Sequence, residues 1–234
     1  DEADIERMRR HYYAKVTTVD EQLGKVMAAL EARGYLENSL LVFCSDHGEM
    51  LGDHHLWRKT YAYEASARVP FIVRPPTSMS DAIRNVEVDA PLTVGWEDIM
   101  PTFLDIAGVP IPETVEGRSV MPLVRGDVDD WRPYYHGEHS PCYDPENANQ
   151  YLTDGHWKYI WNPINGQQQL FHLDADPHEC RNLVAEAPQE LERWRRRMIS
   201  QLQGRDDGLS DGQQLCPGPV NAWRFGKADE LHLG

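Results

Sequence analysis

The sequence predicts an α/β fold followed by a small antiparallel sheet, and three observations support this prediction. They are a helical stripe of apolar residues near the start of the chain, a short apolar run at residues 40–44, and a Trp- and Tyr-rich region after about Gly126. A buried run beside an amphipathic helix is typical of a sheet covered by helices, and short aromatic strands separated by turns are typical of antiparallel sheets. We therefore expect two domains, residues 1–126 and residues 127–234.

The first element is an amphipathic helix. Its apolar residues recur at steps of three and four, which places them on one stripe: Tyr12, Val16, Val19, Leu23, Val26 and Leu30. Gly34 follows as a C-cap, because glycine readily adopts the left-handed conformation in which many helices end. An apolar stripe needs an apolar partner, so we expect this helix to lie against a sheet.

Two strands follow the helix. Residues 39–45 form an apolar run bounded by serines, which is the pattern of a strand buried on both faces in a parallel sheet, and residues 69–73 form the next strand. Asp46 and His47 stand directly after the first of these strands. Because open α/β sheets bind ligands beyond the carboxyl ends of their strands, we expect a functional site there.

The remaining elements are a helix, a meander and a last helix with a tail. The helix covers residues 94–107, where Pro101 predicts a kink or a later start, and Gly108 ends it. The second domain contains four apolar segments with Asp-Gly and Asn-Gly turns between the later ones: residues 134–136, 151–153, 157–161 and 169–173. The last helix is marked by Leu191, Trp194, Met198 and Leu202, and a loop-like tail follows it.

The net charge of the chain argues against one class of function. A charge of −15 and a pI near 5.0 argue against nucleic-acid binding, because a surface that binds phosphate backbones needs a clustered positive field. The run at residues 40–44 is far too short to cross a bilayer, so no membrane segment is predicted. Asp1 is not an initiator methionine and the helical pattern begins close to it, so we expect further chain upstream.

Residues 45–59 concentrate side chains that bind metals and anions. They include Asp46, His47, Glu49, Asp53, His54, His55, Arg58 and Lys59. An adjacent carboxylate and imidazole can bind one divalent cation, and Gly48 and Gly52 allow the backbone to turn tightly around it. Arg58 and Lys59 add positive charge for an anionic substrate. The alternative interpretation is a polar loop with solvated histidines. The position of residues 45–59 directly after a buried strand favours a functional site.

The segment resembles the sulfatase family of the alkaline phosphatase superfamily in residues 45–54, in Lys59 and in residues 68–71. Further segments that resemble the family extend over almost the whole chain: residues 13–16, 98–105, 117–119, 122–123, 157–159, 170–173, 176–177 and 182–183. The resemblance implies the C-terminal part of an alkaline-phosphatase-like α/β/α sandwich, followed by an antiparallel sheet and a C-terminal helix. It also implies hydrolysis of a sulfate ester.

The resemblance further implies one divalent cation, calcium, and a formylglycine nucleophile made from cysteine or serine. Asp46 matches a metal ligand of the family, and His47 stands where the family has an asparagine or a histidine at the metal. Lys59 matches the lysine that holds the sulfate and the leaving-group oxygen. The histidine at position 47 leaves phosphonate and phosphodiester hydrolases of the same superfamily as an alternative.

The nucleophile motif of the family, Cys/Ser-x-Pro-x-Arg, does not occur in this sequence, and the acidic ligands from the family's first strand are also missing. We therefore expect the formylglycine upstream, the N-terminal half of the same protein as partner, and a sulfated small molecule or glycan as substrate. The chain alone is then expected to be inactive. A non-catalytic fragment that binds anions or glycans is a further alternative.

Four weaker candidates complete the predicted site. His54 is a candidate proton donor to the leaving group, because imidazole titrates near neutral pH. His55, Arg58 and His139 are candidate substrate contacts. Hydrogen bonds within their own loop are the alternative for His54 and His55, and an incidental position on a surface strand is the alternative for His139.

Overall fold

A computed structural model of the chain describes residues 2–83, 91–141 and 147–218. The elements are α1 (Glu2–Ala32), β1 (Leu41–Cys44), α2 (Glu64–Ala67), β2 (Phe71–Arg74), α3 (Ile99–Ile106), α4 (Met121–Arg125), β3 (Tyr135–His139), β4 (Asn149–Thr153), β5 (Trp157–Trp161), β6 (Gln168–His172) and α5 (Pro188–Leu202). The end of the predicted tail, residues 219–234, lies outside the described residues. Among the elements described, no helix combines the length and apolarity needed to cross a membrane.

The chain divides into two compact units. The first comprises Asp1–Arg58, Val69–Asp89 and Val94–Trp131, and the second comprises Lys59–Arg68, Ala90–Thr93 and Arg132–Gly234. One boundary between the units therefore falls between Arg58 and Lys59, inside the segment that the sequence predicts as the site.

In the first unit, α1 runs for 31 residues and none of them is buried. Val16, Val19 and Val26 of its apolar stripe are exposed, so the expected sheet does not cover them within the described residues. In the described part of this unit the sheet has two strands, β1 and β2, and it leaves these residues exposed. Gly34, with φ of +70°, has the left-handed conformation predicted for the end of the helix.

The strands β1 and β2 pair antiparallel, with Leu41 opposite Arg74 and Cys44 opposite Phe71. The apolar run indicated a strand buried on both faces in a parallel sheet, whereas β1 is half-buried and its partner β2 runs antiparallel to it. A short apolar run indicates that a strand is shielded from water, but it contains no information about the direction of the neighbouring strand.

The helix α3 begins later than the apolar pattern does, as Pro101 predicts. It starts at Ile99, so Pro101 lies in the first turn, where its missing N–H has no helical partner to lose. The buried carboxylate of Asp98 accepts hydrogen bonds from the backbone N–H groups of Gly95 (2.9 Å) and Arg118 (2.8 Å). These contacts hold the loop around residue 118 against the start of the helix.

The second unit contains the predicted meander, an antiparallel sheet in the order β3-β4-β5-β6. One face packs against α5 in a core formed by Leu152, Tyr159, Trp161, Leu170, Leu191, Trp194, Met198, Leu202 and Leu209. On the other face, Ile160 and Phe171 pack against Ala62 and Tyr63 of residues 59–68, hereafter the lysine segment. The sheet therefore lies between α5 and the lysine segment.

Candidate metal and anion site

The predicted site residues are divided between the two units. The first unit contains Asp46, His47, His54, His55 and Arg58. The second unit contains Lys59 and His139. The side chains of Asp46, His55, Arg58 and Lys59 are exposed, whereas His47, His54 and His139 are half-buried.

Asp46 and His47 follow β1 in a turn that hydrogen bonds hold in place. The hydroxyl of Ser45 donates to the carbonyl of His47 (2.8 Å), and the backbone N–H of His47 donates to Asp46 Oδ1 (3.0 Å). The indole N–H of Trp96 donates to the carbonyl of Ser45 (3.0 Å). The turn thus directs the carboxylate and the imidazole of adjacent residues to the same place.

The imidazole of His47 has a defined tautomer. Its Nδ1 lies 2.7 Å from the carbonyl of Gly48, and because a carbonyl only accepts, Nδ1 carries the proton. In the neutral ring, Nε2 is then a lone-pair donor atom, and it lies 3.3 Å from Asp46 Oδ2. The lone pair of Nε2 and the negative charge of the carboxylate repel each other unless a proton or a cation lies between them.

This donor set fits a divalent cation. Two ligand atoms at about 2.3–2.6 Å from one cation and at right angles to each other are roughly 3.3–3.7 Å apart, which includes the separation of Nε2 and Oδ2. Within the described parts of the chain, no group of three or more His, Cys, Asp or Glu side chains could hold a metal ion. The side chain of Asp46 is 73% exposed, so its carboxylate is accessible.

The backbone after this pair has an unusual conformation. In the described residues, five of the six non-glycine residues with positive φ lie between positions 51 and 60: Leu51, His54, His55, Arg58 and Thr60. Each such conformation costs roughly 1–3 kcal/mol and persists only where the surrounding structure holds it, as it often does at functional sites. No sequence pattern predicted this strain, because none of these residues is a turn former.

Arg9 of α1 is a contact that the sequence reasoning missed. Its guanidinium donates to the carbonyl of Leu51 (2.8 Å) and to the carboxylate of Asp53 (3.2 Å). The backbone of the same loop closes on itself, since the N–H of Met50 donates to the carbonyl of Arg58 (2.9 Å) and Met50 is fully buried. These contacts hold the loop that contains His54 and His55.

In the second unit, Lys59 precedes a residue, Thr60, whose backbone carbonyl is held by a hydrogen bond. The side-chain amide of Asn149 donates to the carbonyl of Thr60 (2.9 Å), and both residues are buried. His139 lies directly opposite Asn149 in the pairing of β3 with β4. Sequence reasoning missed Asn149, since β4 has the sequence Asn-Gln-Tyr-Leu-Thr and nothing in that pattern distinguishes its first amide.

A buried ionic group lies on the face of the sheet that packs against the lysine segment. Lys158 Nζ is 2.6 Å from Glu64 Oε1 and 3.0 Å from Glu179 Oε1, and it donates to the carbonyl of Ala62 (2.8 Å). Burial raises the pKa of Glu179, although the ammonium of Lys158 opposes that rise. The sequence reasoning missed this group, which we name the Lys158 cluster (Lys158, Glu64 and Glu179).

Comparisons with known proteins extend these observations. Residues 1–109 match the family profile described as Sulfatase. The chain is 38% identical over 220 residues to an arylsulfatase of Clostridium perfringens, covering 93% of this chain and 45% of that protein. It is 36% identical over 190 residues to a choline-sulfatase of Rhizobium meliloti, covering 78% of this chain and 34% of that protein. The chain thus spans less than half the length of these relatives.

The fold matches solved structures as well. A protein solved in complex with its substrate D-glucosamine-2-N,6-O-disulfate has a TM-score of 0.69 and 28% identity, over 85% of this chain and 41% of that protein. A phosphonate monoester hydrolase from Silicibacter pomeroyi has a TM-score of 0.67 and 31% identity, over 79% of this chain and 38% of that protein. The predicted α/β fold class is confirmed by these similarities.

Proposed function

Because this chain belongs to the sulfatase family of the alkaline phosphatase superfamily, we propose that the complete protein hydrolyses sulfuric esters and that this chain supplies part of the metal and sulfate site. The observation that carries the proposal is the pair formed by Asp46 and His47. A lone-pair nitrogen and a carboxylate oxygen lie 3.3 Å apart at the end of β1, where the arrangement suits a cation that binds an anionic ester.

Each site residue has a role in this proposal. Asp46 and His47 bind calcium, which when bound offsets the charge on the sulfate oxygens. Lys59 holds the sulfate and stabilises the negative charge that develops on the leaving-group oxygen as its bond to sulfur breaks. His54 gives that oxygen a proton, and His55, Arg58 and His139 contact the substrate. The nucleophile, a formylglycine, lies in the part of the protein that precedes this chain.

The proposal includes a partner for the first unit. The exposed apolar stripe of α1 is the kind of surface that a folded protein covers, and the relatives are more than twice as long as the matched region. We therefore propose that the N-terminal half of the same protein covers α1 and brings the remaining acidic ligands to Asp46 and His47. A sulfated small molecule or glycan is the substrate.

Phosphonate or phosphodiester hydrolysis is the second candidate, since the chain is also similar to a phosphonate monoester hydrolase. Parallel assays of the full-length protein with an aryl sulfate and an aryl phosphonate monoester separate the two reactions. We expect faster turnover of the sulfate, loss of turnover after chelation and recovery with calcium. Faster turnover of the phosphonate would reverse the assignment of substrate, and no turnover of the sulfate would overturn the proposal.

Lys59→Ala tests the proposed anion site in the same assay. We expect kcat/KM for the aryl sulfate to fall by roughly 10²–10³, because a charge that stabilises the transition state is lost while no buried contact is removed. Lys25→Ala is the matched control, since Lys25 is an exposed lysine of α1 that hydrogen-bonds to Gln22. An unchanged kcat/KM for Lys59→Ala would remove Lys59 from the site.

A further inference from the structure

The lysine segment is bound along one face of the C-terminal sheet. Thr60, Ala62 and Ser66 are buried, and Ala62 packs against Ile160 and Phe171. Towards its end, Glu64 forms an ion pair with Lys158, and the backbone N–H of Glu64 donates to Glu179 Oε2 (2.6 Å). The segment is thus fixed to the sheet over most of its length, whereas the side chain of Lys59 at its start is exposed.

One contact acts on the residue next to Lys59. Asn149 Nδ2 lies 2.9 Å from the carbonyl oxygen of Thr60, and it also donates to the carbonyl of Asn147 (3.2 Å). Thr60 has φ of +96°, which a β-branched residue adopts only under constraint from its surroundings. Because the orientation of a carbonyl follows the ψ angle of its own residue, Asn149 constrains the backbone turn that follows Lys59.

We propose that Asn149 is a positioning residue for Lys59. By holding the carbonyl of Thr60, it fixes the direction in which Lys59 leaves the backbone, so that the ammonium group is already aligned when charge develops on the leaving-group oxygen. This inference rests on the proposed function, in which Lys59 stabilises that charge. A misplacement of about 1 Å is enough to cost roughly 10²-fold in rate, so one hydrogen bond to the neighbouring residue is sufficient to matter.

The mechanism determines which kinetic constant changes. The contact of the Lys59 ammonium with the leaving-group oxygen strengthens as charge develops there, so its misalignment should lower kcat and kcat/KM much more than it changes KM. The loss of kcat must also depend on the leaving group. A phenol of high pKa leaves as a less stable phenolate, so its oxygen depends most on the positive charge of the ammonium. A residue with a purely structural role would lower the amount of folded enzyme without changing this dependence.

The test is a double-mutant cycle in the full-length protein, assayed with aryl sulfates whose phenols differ in pKa. We expect Asn149→Ala to lower kcat by about 10–10²-fold with KM changed by less than about threefold, and to do so most for the phenols of highest pKa. In the Lys59→Ala background, Asn149→Ala should change kcat by less than about twofold, because the residue acts through Lys59.

Two further variants keep the test decisive. Asn162→Ala is the matched control, because the side chain of Asn162 also hydrogen-bonds to the backbone, although its Oδ1 accepts from the N–H groups of Ile164 (2.8 Å) and Asn165 (3.2 Å) in the turn between β5 and β6. Its kcat should equal that of the wild type. If Asn149→Ala does not fold, Asn149→Asp keeps the shape and removes the donor, and the same leaving-group dependence is expected.

The outcomes separate this inference from the function on which it rests. A wild-type protein without sulfatase turnover refutes the proposed function. A wild-type protein that is active and sensitive to Lys59→Ala, together with folded Asn149 variants of wild-type kcat, refutes the positioning role alone. Full additivity of the two losses refutes it as well, since Asn149 would then act independently of Lys59.

Discussion

The ammonium group of Lys158 lies 2.6 Å from a carboxylate oxygen of Glu64, and this ion pair joins β5 to the lysine segment. The side chain of Lys158 is fully buried, and that of Glu179, on the other side of the ammonium, is 2% exposed. Two acids around one ammonium leave an excess of negative charge when both are ionised. Buried groups of this kind add little net stability while intact, but removing one member leaves a charge unpaired.

Lys158→Met is therefore expected to lower the free energy of unfolding by about 3–5 kcal/mol, because it leaves two carboxylates without their cation. Denaturant titration of the purified protein measures the change. Lys25→Met, at an exposed position on α1, should change the same quantity by less than about 0.5 kcal/mol. A loss below about 1 kcal/mol in Lys158→Met would show that the Lys158 cluster is relaxed by water.

The raised pKa of Glu179 predicts a dependence of stability on pH. The folded state keeps this proton at pH values where the unfolded chain, with a pKa of about 4.5, has lost it. The stability that the group contributes is full below the unfolded pKa and is lost as pH rises through the folded pKa. Glu179→Gln cannot titrate, so its melting temperature relative to wild type should increase as pH rises from about 4 to about 7.

Glu192→Gln is a control of opposite sign. A hydrogen bond from Arg196 lowers the pKa of Glu192, so its contribution to stability is present above the unfolded pKa and is lost as pH falls through the folded pKa. The melting temperature of Glu192→Gln relative to wild type should therefore decrease as pH rises. If both variants changed in the same direction, the Glu179 assignment would be wrong.

Gly117 is a position where the backbone leaves no room for a side chain. A Cβ atom there would lie 1.9 Å from the carbonyl oxygen of Glu97, which belongs to the backbone and cannot move aside cheaply. Gly117→Ala should cost at least about 2 kcal/mol of unfolding free energy. Gly24→Ala, inside α1 with nothing within 4 Å, should instead add about 0.5–1 kcal/mol. Equal effects at both glycines would contradict the predicted clash.

The proposed cation site predicts that removing one of its ligands lowers the affinity for the metal. His47→Ala in the full-length protein should weaken calcium binding by at least about tenfold, since even residues that only orient metal ligands have effects of this size. Isothermal titration calorimetry on protein from which the metal has been removed by chelation measures the affinity for calcium. His11→Ala, on the exposed surface of α1, should bind calcium as wild type does. Unchanged affinity in His47→Ala would exclude the imidazole as a ligand.

The sequence predicted the elements whose apolar residues pack against other residues of this chain. The four residues that marked the last helix are all buried in α5, and the meander strands lie close to their predicted positions. The direction of β2 relative to β1 was not predictable, because apolar content is the same for either direction. The placement of Asp46 and His47 after β1 followed from the pattern, and their role as ligands stays a prediction.

The supporting contacts could not be predicted because they join distant positions. Arg9 meets Leu51 across 42 residues, Asn149 meets Thr60 across 89, and Lys158 meets Ala62 across 96. Local periodicity carries no information on such pairs. Two of these contacts, at Leu51 and at Thr60, are made to residues with positive φ, so the surroundings of that backbone are visible only in the folded chain.

A helix almost at the end of the described chain thus backs the sheet on which the lysine segment rests. In a saturation screen for lost turnover, we expect substitutions at Trp194 and Met198 of α5 to appear beside those at Lys59, although they lie on the opposite side of the sheet. Selection for a new substrate is then expected to act also through second-site changes in α5, far along the chain from the residues proposed to contact the ester.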